Sequence, residues 1–76
     1  RRELSKFVNN RLEEARVAVR NVRRDTIKDM REFESEKLIS EDDLKRGEED
    51  TQKLTDKINE EITSLGNEKE KEIMEI

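Results

Sequence analysis

Apolar or small residues recur along the first half of the chain at Leu4, Val8, Leu12, Ala15, Val19, Val22, Thr26, Met30 and Phe33, every step being three or four residues. With 3.6 residues per turn, such steps return a side chain to the same face, so the spacing predicts an amphipathic helix over about 3–36. Alternation with a period of two appears nowhere at comparable length. At 1.5 Å per residue this helix would be about 50 Å long, and a seam of that length asks for a neighbouring helix. A second seam runs through Leu44, Gly47, Thr51, Leu54, Ile58, Ile62 (or Glu61) and Leu65, then weakens to Lys69, Ile73 and Ile76, which predicts a helix over about 41–75.

The segment between the seams carries a helix start. Ser40 is placed to cap the free backbone amides, and Asp43, three residues on, is placed to reach back to it. Acids at positions 41 to 43 suit the positive end of the helix dipole, and Ile39 and Leu44 are spaced as a hydrophobic staple. The weak point is Gly66-Asn67, because a glycine inside a helix costs about 1 kcal/mol relative to alanine; fraying or a bend is predicted there. The fold class is all-α: a long antiparallel helical hairpin.

Composition makes that hairpin look unfinished. Half of the 76 residues are charged, 29% are hydrophobic and 3% aromatic, and there is no Cys, His or Pro. So short a chain with so little apolar surface struggles to offset its ordering entropy, and neither disulfides nor His/Cys metal sites are open to it. A further element or a partner is expected. Carboxylate neighbours such as Glu13-Glu14 and Glu60-Glu61 have no shielded pocket to shift their pKa, so neither an enzyme active site nor a small-molecule substrate is expected, and no cofactor or metal. With no long apolar run and no signal-peptide pattern at the start, the expected setting is cytoplasmic, away from the membrane.

Charge is unevenly divided. Residues 1–31 hold ten Lys or Arg against five acids, while residues 32–76 hold seven against sixteen. Within the basic half, Arg16, Arg20, Arg23 and Arg24 follow one another at helical spacing with no acid between them, forming a solvated stripe beside the seam that Arg2 and Lys6 extend. All four are arginine, whose planar fork suits phosphate oxygens, whereas the second half relies mainly on lysine. Nucleic-acid phosphate is the natural partner. With no aromatic residue near the stripe, contact would read backbone and shape rather than unpaired bases. The alternative is a structural or protein-interaction hairpin whose arginines only face solvent.

The run Glu14-Ala15-Arg16-Val17-Ala18-Val19-Arg20-Asn21-Val22-Arg23-Arg24-Asp25 closely resembles the signature of bacterial ribosome recycling factors. The resemblance continues through Ile39-Ser40-Glu41-Asp42-Asp43, Gln52-Lys53-Leu54-Thr55-Asp56 and Lys69-Glu70-Lys71-Glu72-Ile73-Met74-Glu75-Ile76, and so covers the chain in order. It implies a domain I built as a three-helix bundle, with a smaller β/α/β domain inserted between the first helix and the second. This chain corresponds to the second and third helices; the first helix and the inserted domain are absent. The resemblance further implies binding to the RNA of the large ribosomal subunit and, together with elongation factor G, disassembly of the post-termination ribosome to release messenger and transfer RNA. The positions matching the family's RNA-contacting arginines are Arg1, Arg20 and Arg23, with Arg16 and Arg24 as neighbours on the stripe. Gly66 and Asn67 depart from the helix-favouring residues expected of the family.

Overall fold

The computed structural model describes residues 2–75. It contains two helices, α1 (Arg2–Ser35) and α2 (Glu41–Glu75), each within a residue of the limits predicted from the seams. The helices lie side by side and antiparallel. Ser5 meets Glu70 at one end of the hairpin and Arg31 meets Glu48 toward the turn. The Cα trace measures 57 × 16 × 9 Å, a single layer two helices wide.

The turn closes on two complementary devices. At the end of α1, the Lys37 N–H donates to the Glu34 carbonyl at 2.9 Å and the Leu38 N–H to the Phe33 carbonyl at 2.8 Å, the paired bonds of a Schellman motif. That motif puts Lys37 in the left-handed region, with φ 62°, at a position where glycine is usual. At the start of α2, the Asp43 N–H donates to Ser40 Oγ at 3.0 Å and the Ser40 N–H to the Asp43 carboxylate at 3.2 Å. This is the reciprocal cap read from the sequence. The Ser40 N–H, and after it the Ser40 hydroxyl, favour ionised Asp43, and with a smaller contribution from Arg46 they hold its carboxyl below the ordinary carboxylate range.

α2 runs unbroken through Gly66, without the fraying predicted there. The reason lies across the interface. A Cβ on Gly66 would come within 2.7 Å of Leu12 Cδ1, and one on Gly47 within 2.5 Å of Met30 Sδ. Both glycines mark places where α1 side chains press close to the α2 backbone. The missing methyl groups serve packing, and the helix is continued by its hydrogen bonds on both sides. Between the two glycines, Thr51 and Thr55 keep the contact narrow by turning their hydroxyls back onto the carbonyls of Gly47 and Thr51, at 2.7 and 2.8 Å.

The core is as thin as the composition implies. Among the described residues only Ile73 and Thr55 are buried, 5% and 8% exposed, and no large side chain is fully enclosed. The seams face each other only in part. Val8, Leu12, Val19 and Met30 pack toward α2 and are half-buried, but Leu4, Val22 and Phe33 on α1, and Leu54 and Leu65 on α2, stay exposed. Val22 is 65% exposed and Leu54 59%. The apolar stripe of each helix is wider than one neighbour can cover, so one side of the ribbon is left as an apolar groove.

Candidate nucleic-acid interface

The two faces of the ribbon differ in kind. On one, Ala18, Val19, Val22 and Thr26 of α1 join Leu54 and Ile58 of α2 as the walls of the groove, with Arg23, Thr51 and Thr55 at its margin. On the other, Arg16, Arg20 and Arg23 of α1 gather beside Gln52, Thr55 and Asn59 of α2 around a shallow polar pocket of about 260 Å³. Helical spacing produces the split. Arg16 and Arg20, four residues apart, lie on the flank of α1 turned away from Val22, Arg23 stands at the border between the groove and the polar pocket, and Gln52, Asn59 and Thr63 recur on the matching flank of α2.

Not every arginine stands free in solvent beside the seam. Arg16 and Arg23 are half-buried and bridge to α2: Arg23 Nη1 donates to Gln52 Oε1 at 3.0 Å, and Arg16 Nη2 donates to Thr63 Oγ1 at 3.4 Å while its other amino group lies 3.6 Å from Glu13. This corrects the reading of a wholly solvated stripe. The long aliphatic stems cross the rim of the interface, and the guanidinium groups find acceptors on α2 before they reach open water. Arg24 is exposed and paired with Asp25 at 3.3 Å. Arg20 is exposed and makes no hydrogen bond or ion pair among the described residues, leaving all its donors available. Arg1 lies outside the described residues.

Four polar bonds cross between the helices on this face: Ser5 to Glu70, Arg16 to Thr63, Arg23 to Gln52, and Arg31 to Glu48, the last an ion pair at 2.9 Å. They act as rungs that hold the antiparallel register. Gln52 also donates to Asp56 at 2.9 Å, so the acceptor facing Arg23 is itself held in place. Asn59 Oδ1 and Glu70 Oε2 are buried without a hydrogen-bond partner. Reading for basic residues overlooked Gln52, Asn59 and Thr63. Their signal was there, as uncharged polar residues recurring at helical spacing beside the α2 seam.

Chemically, this face can bind anions through forked donors. Among the described residues, no group of three or more acids could hold a metal ion, and no helix is long and apolar enough to cross a membrane.

These features define the class as an all-α helical hairpin with one apolar face and one arginine-lined face. The chain belongs to the ribosome recycling factor family, whose family model, described as "Ribosome recycling factor", matches residues 1–74. Over its whole length it is 55% identical to a ribosome-recycling factor of Chloroflexus aggregans, 57% identical to one of Syntrophomonas wolfei and 47% identical to one of Dehalococcoides mccartyi. It spans 41% of the length of each of these relatives. No solved structure matches the chain.

Proposed function

We propose that the chain is the larger part of domain I of a ribosome recycling factor, comprising its second and third helices, and that the arginine face is its contact with the RNA of the large ribosomal subunit. In this reading the whole protein works in the cytoplasm as a non-enzymatic translation factor. Together with elongation factor G it disassembles the post-termination ribosome and releases messenger and transfer RNA. The observation that carries the RNA contact is Arg20, an arginine with free donors set between two others that α2 holds in place. Arg23 and Arg16 border the same surface, and Arg24 and Arg1 would extend it. The exposed groove on the opposite face supports the missing first helix, since it is apolar where a bundle would need a third member.

Co-sedimentation with purified large subunits tests the RNA contact. Arg20→Ala should weaken binding and lower the slope of log affinity against log salt by about one unit or less, because one fewer phosphate is neutralised. Its stability should stay within about 0.5 kcal/mol of the parent, since Arg20 holds no contact within the hairpin. Arg23→Ala should lose binding and, with the Gln52 bond, about 0.5–1.5 kcal/mol of stability. Lys57→Ala is the control. An Arg20→Ala, Arg24→Ala chain that co-sediments like the parent across the salt range would remove this face from the proposal.

A further inference from the structure

Arg16, Arg24 and Arg31 on α1 are each paired with a carboxylate: Glu13 at 3.6 Å, Asp25 at 3.3 Å and Glu48 at 2.9 Å. Arg20 and Arg23 have no ion pair among the described residues. What α2 sets against these two is uncharged, although that helix is rich in acids. Its acceptors that cross to α1 run Glu48, Gln52, Thr63 and Glu70, neutral in the middle and acidic toward either end. Gln52 Oε1 takes the bond from Arg23 at 3.0 Å, and the Gln52 amide occupies the Asp56 carboxylate, the acid one turn away, at 2.9 Å. Asn59 completes the row. Arg16 bonds Thr63 across the interface; Arg20 stands four residues on along α1 and Asn59 four residues back along α2, so the antiparallel register sets Arg20 against Asn59. Both line the same polar pocket. Asn59 Oδ1 is buried there without a donor, and Arg20 has donors without an acceptor.

We propose that Asn59 and Gln52 are positioning residues of the RNA contact, neutral acceptors that orient the guanidinium groups of Arg20 and Arg23 while leaving both positive charges for phosphate. This rests on reading the arginine face as the RNA contact and names the α2 residues that prepare it. A guanidinium carries five N–H donors, so one bond to an amide oxygen fixes its plane and leaves the opposite edge to grip two phosphate oxygens. A carboxylate in the same place would fix the plane equally well but offset the charge, as Glu48 does for Arg31. Holding the fork before RNA arrives also removes side-chain freedom that binding would otherwise have to freeze.

Asn59→Asp and Asn59→Leu, compared with the parent 76-residue chain, test the assignment by co-sedimentation with purified large ribosomal subunits over a range of salt, with thermal melts followed by circular dichroism in parallel. Asn59→Asp keeps the acceptor and adds a negative charge. It should melt no lower than the parent, yet bind more weakly at low salt and lower the slope of log affinity against log salt by about one unit or less. Asn59→Leu removes the acceptor and leaves every charge in place, so affinity should fall about two- to tenfold, the worth of one hydrogen bond, with the slope unchanged. In an Arg20→Ala chain Asn59→Leu should cost nothing further, whereas an effect of packing alone would persist. Asn59→Asp binding like the parent across the salt range, or a loss from Asn59→Leu that survives the removal of Arg20, would overturn the assignment. If Arg20→Ala weakens binding and neither Asn59 variant does, only this inference fails; if Arg20→Ala itself changes nothing, the RNA reading fails with it.

Discussion

Lys37 is the residue whose backbone is least suited to its side chain. With φ at 62° it occupies the left-handed region, which costs an L-residue roughly 1–2 kcal/mol and glycine almost nothing. Lys37→Gly should therefore raise stability by about 0.5–1 kcal/mol, part of the gain being offset by the greater freedom of glycine in the unfolded chain. Thermal melts of the two chains, each with a bound first-helix peptide, would measure it; a lowered melting temperature would contradict the cap geometry. Six residues on, Asp43 gives the opposite end of the turn a pH dependence. Its carboxyl titrates lower in the folded chain than in the unfolded one, so the unfolded state takes up the proton first as pH falls. The stabilisation is fully present above the ordinary carboxylate pKa of about 4 and disappears as pH drops through the lower folded value. Asp43→Asn should melt below the parent at neutral pH, and the gap should close under acid. A gap that stayed constant down to pH ~2 would mean that the charge on Asp43 does not support the cap.

At the scale of the helix pair, packing distance is set where side chains of α1 meet glycines of α2. Gly66 faces Leu12 and Gly47 faces Met30, one contact toward each end of the hairpin. Gly66→Val would place branched carbons where Leu12 Cδ1 already stands, and should cost about 1–3 kcal/mol through overpacking despite the poor helix propensity of glycine. The cost should shrink in a Leu12→Ala background, where the added volume has somewhere to go. A double-mutant cycle reads the coupling directly, and additivity of the two changes would show that Gly66 is only a tolerated helix defect. Met30 offers a contrast. Its unbranched thioether can move aside, so Gly47→Ala should be tolerated better than Gly66→Val.

As a whole molecule, the hairpin is a ribbon one helix thick with an apolar groove on one face and Arg16 and Arg20 on the other. Such a ribbon can present an anion-binding surface and an attachment surface at the same time. It offers no second body for force to act through. An assay of ribosomal subunit dissociation with elongation factor G and GTP should accordingly give no activity above background for this chain, even where it co-sediments with large subunits. Full activity would show that the first helix and inserted domain implied by the family resemblance are dispensable.

The sequence alone determined the elements and the turn between them, because helix period, capping and dipole preferences are local and each is written within a few residues. Ser40, Asp43 and the two seams were legible for that reason, and so was the arginine stripe, whose spacing is a property of one helix. The end of α1 was less legible: a Schellman turn with lysine in the glycine position carries no compositional mark. Only the tertiary structure decided how the width of each apolar stripe is shared. α2 covers the Leu12, Val19 and Met30 side of α1 and leaves Val22 to the groove, a choice made by where two cylinders touch and not by either pattern. The same contact drew Arg16 and Arg23 onto Thr63 and Gln52 while leaving Arg20 free. It also turned Gly66 from a predicted weak point into a point of close approach, because the role of a missing side chain depends on what stands opposite it.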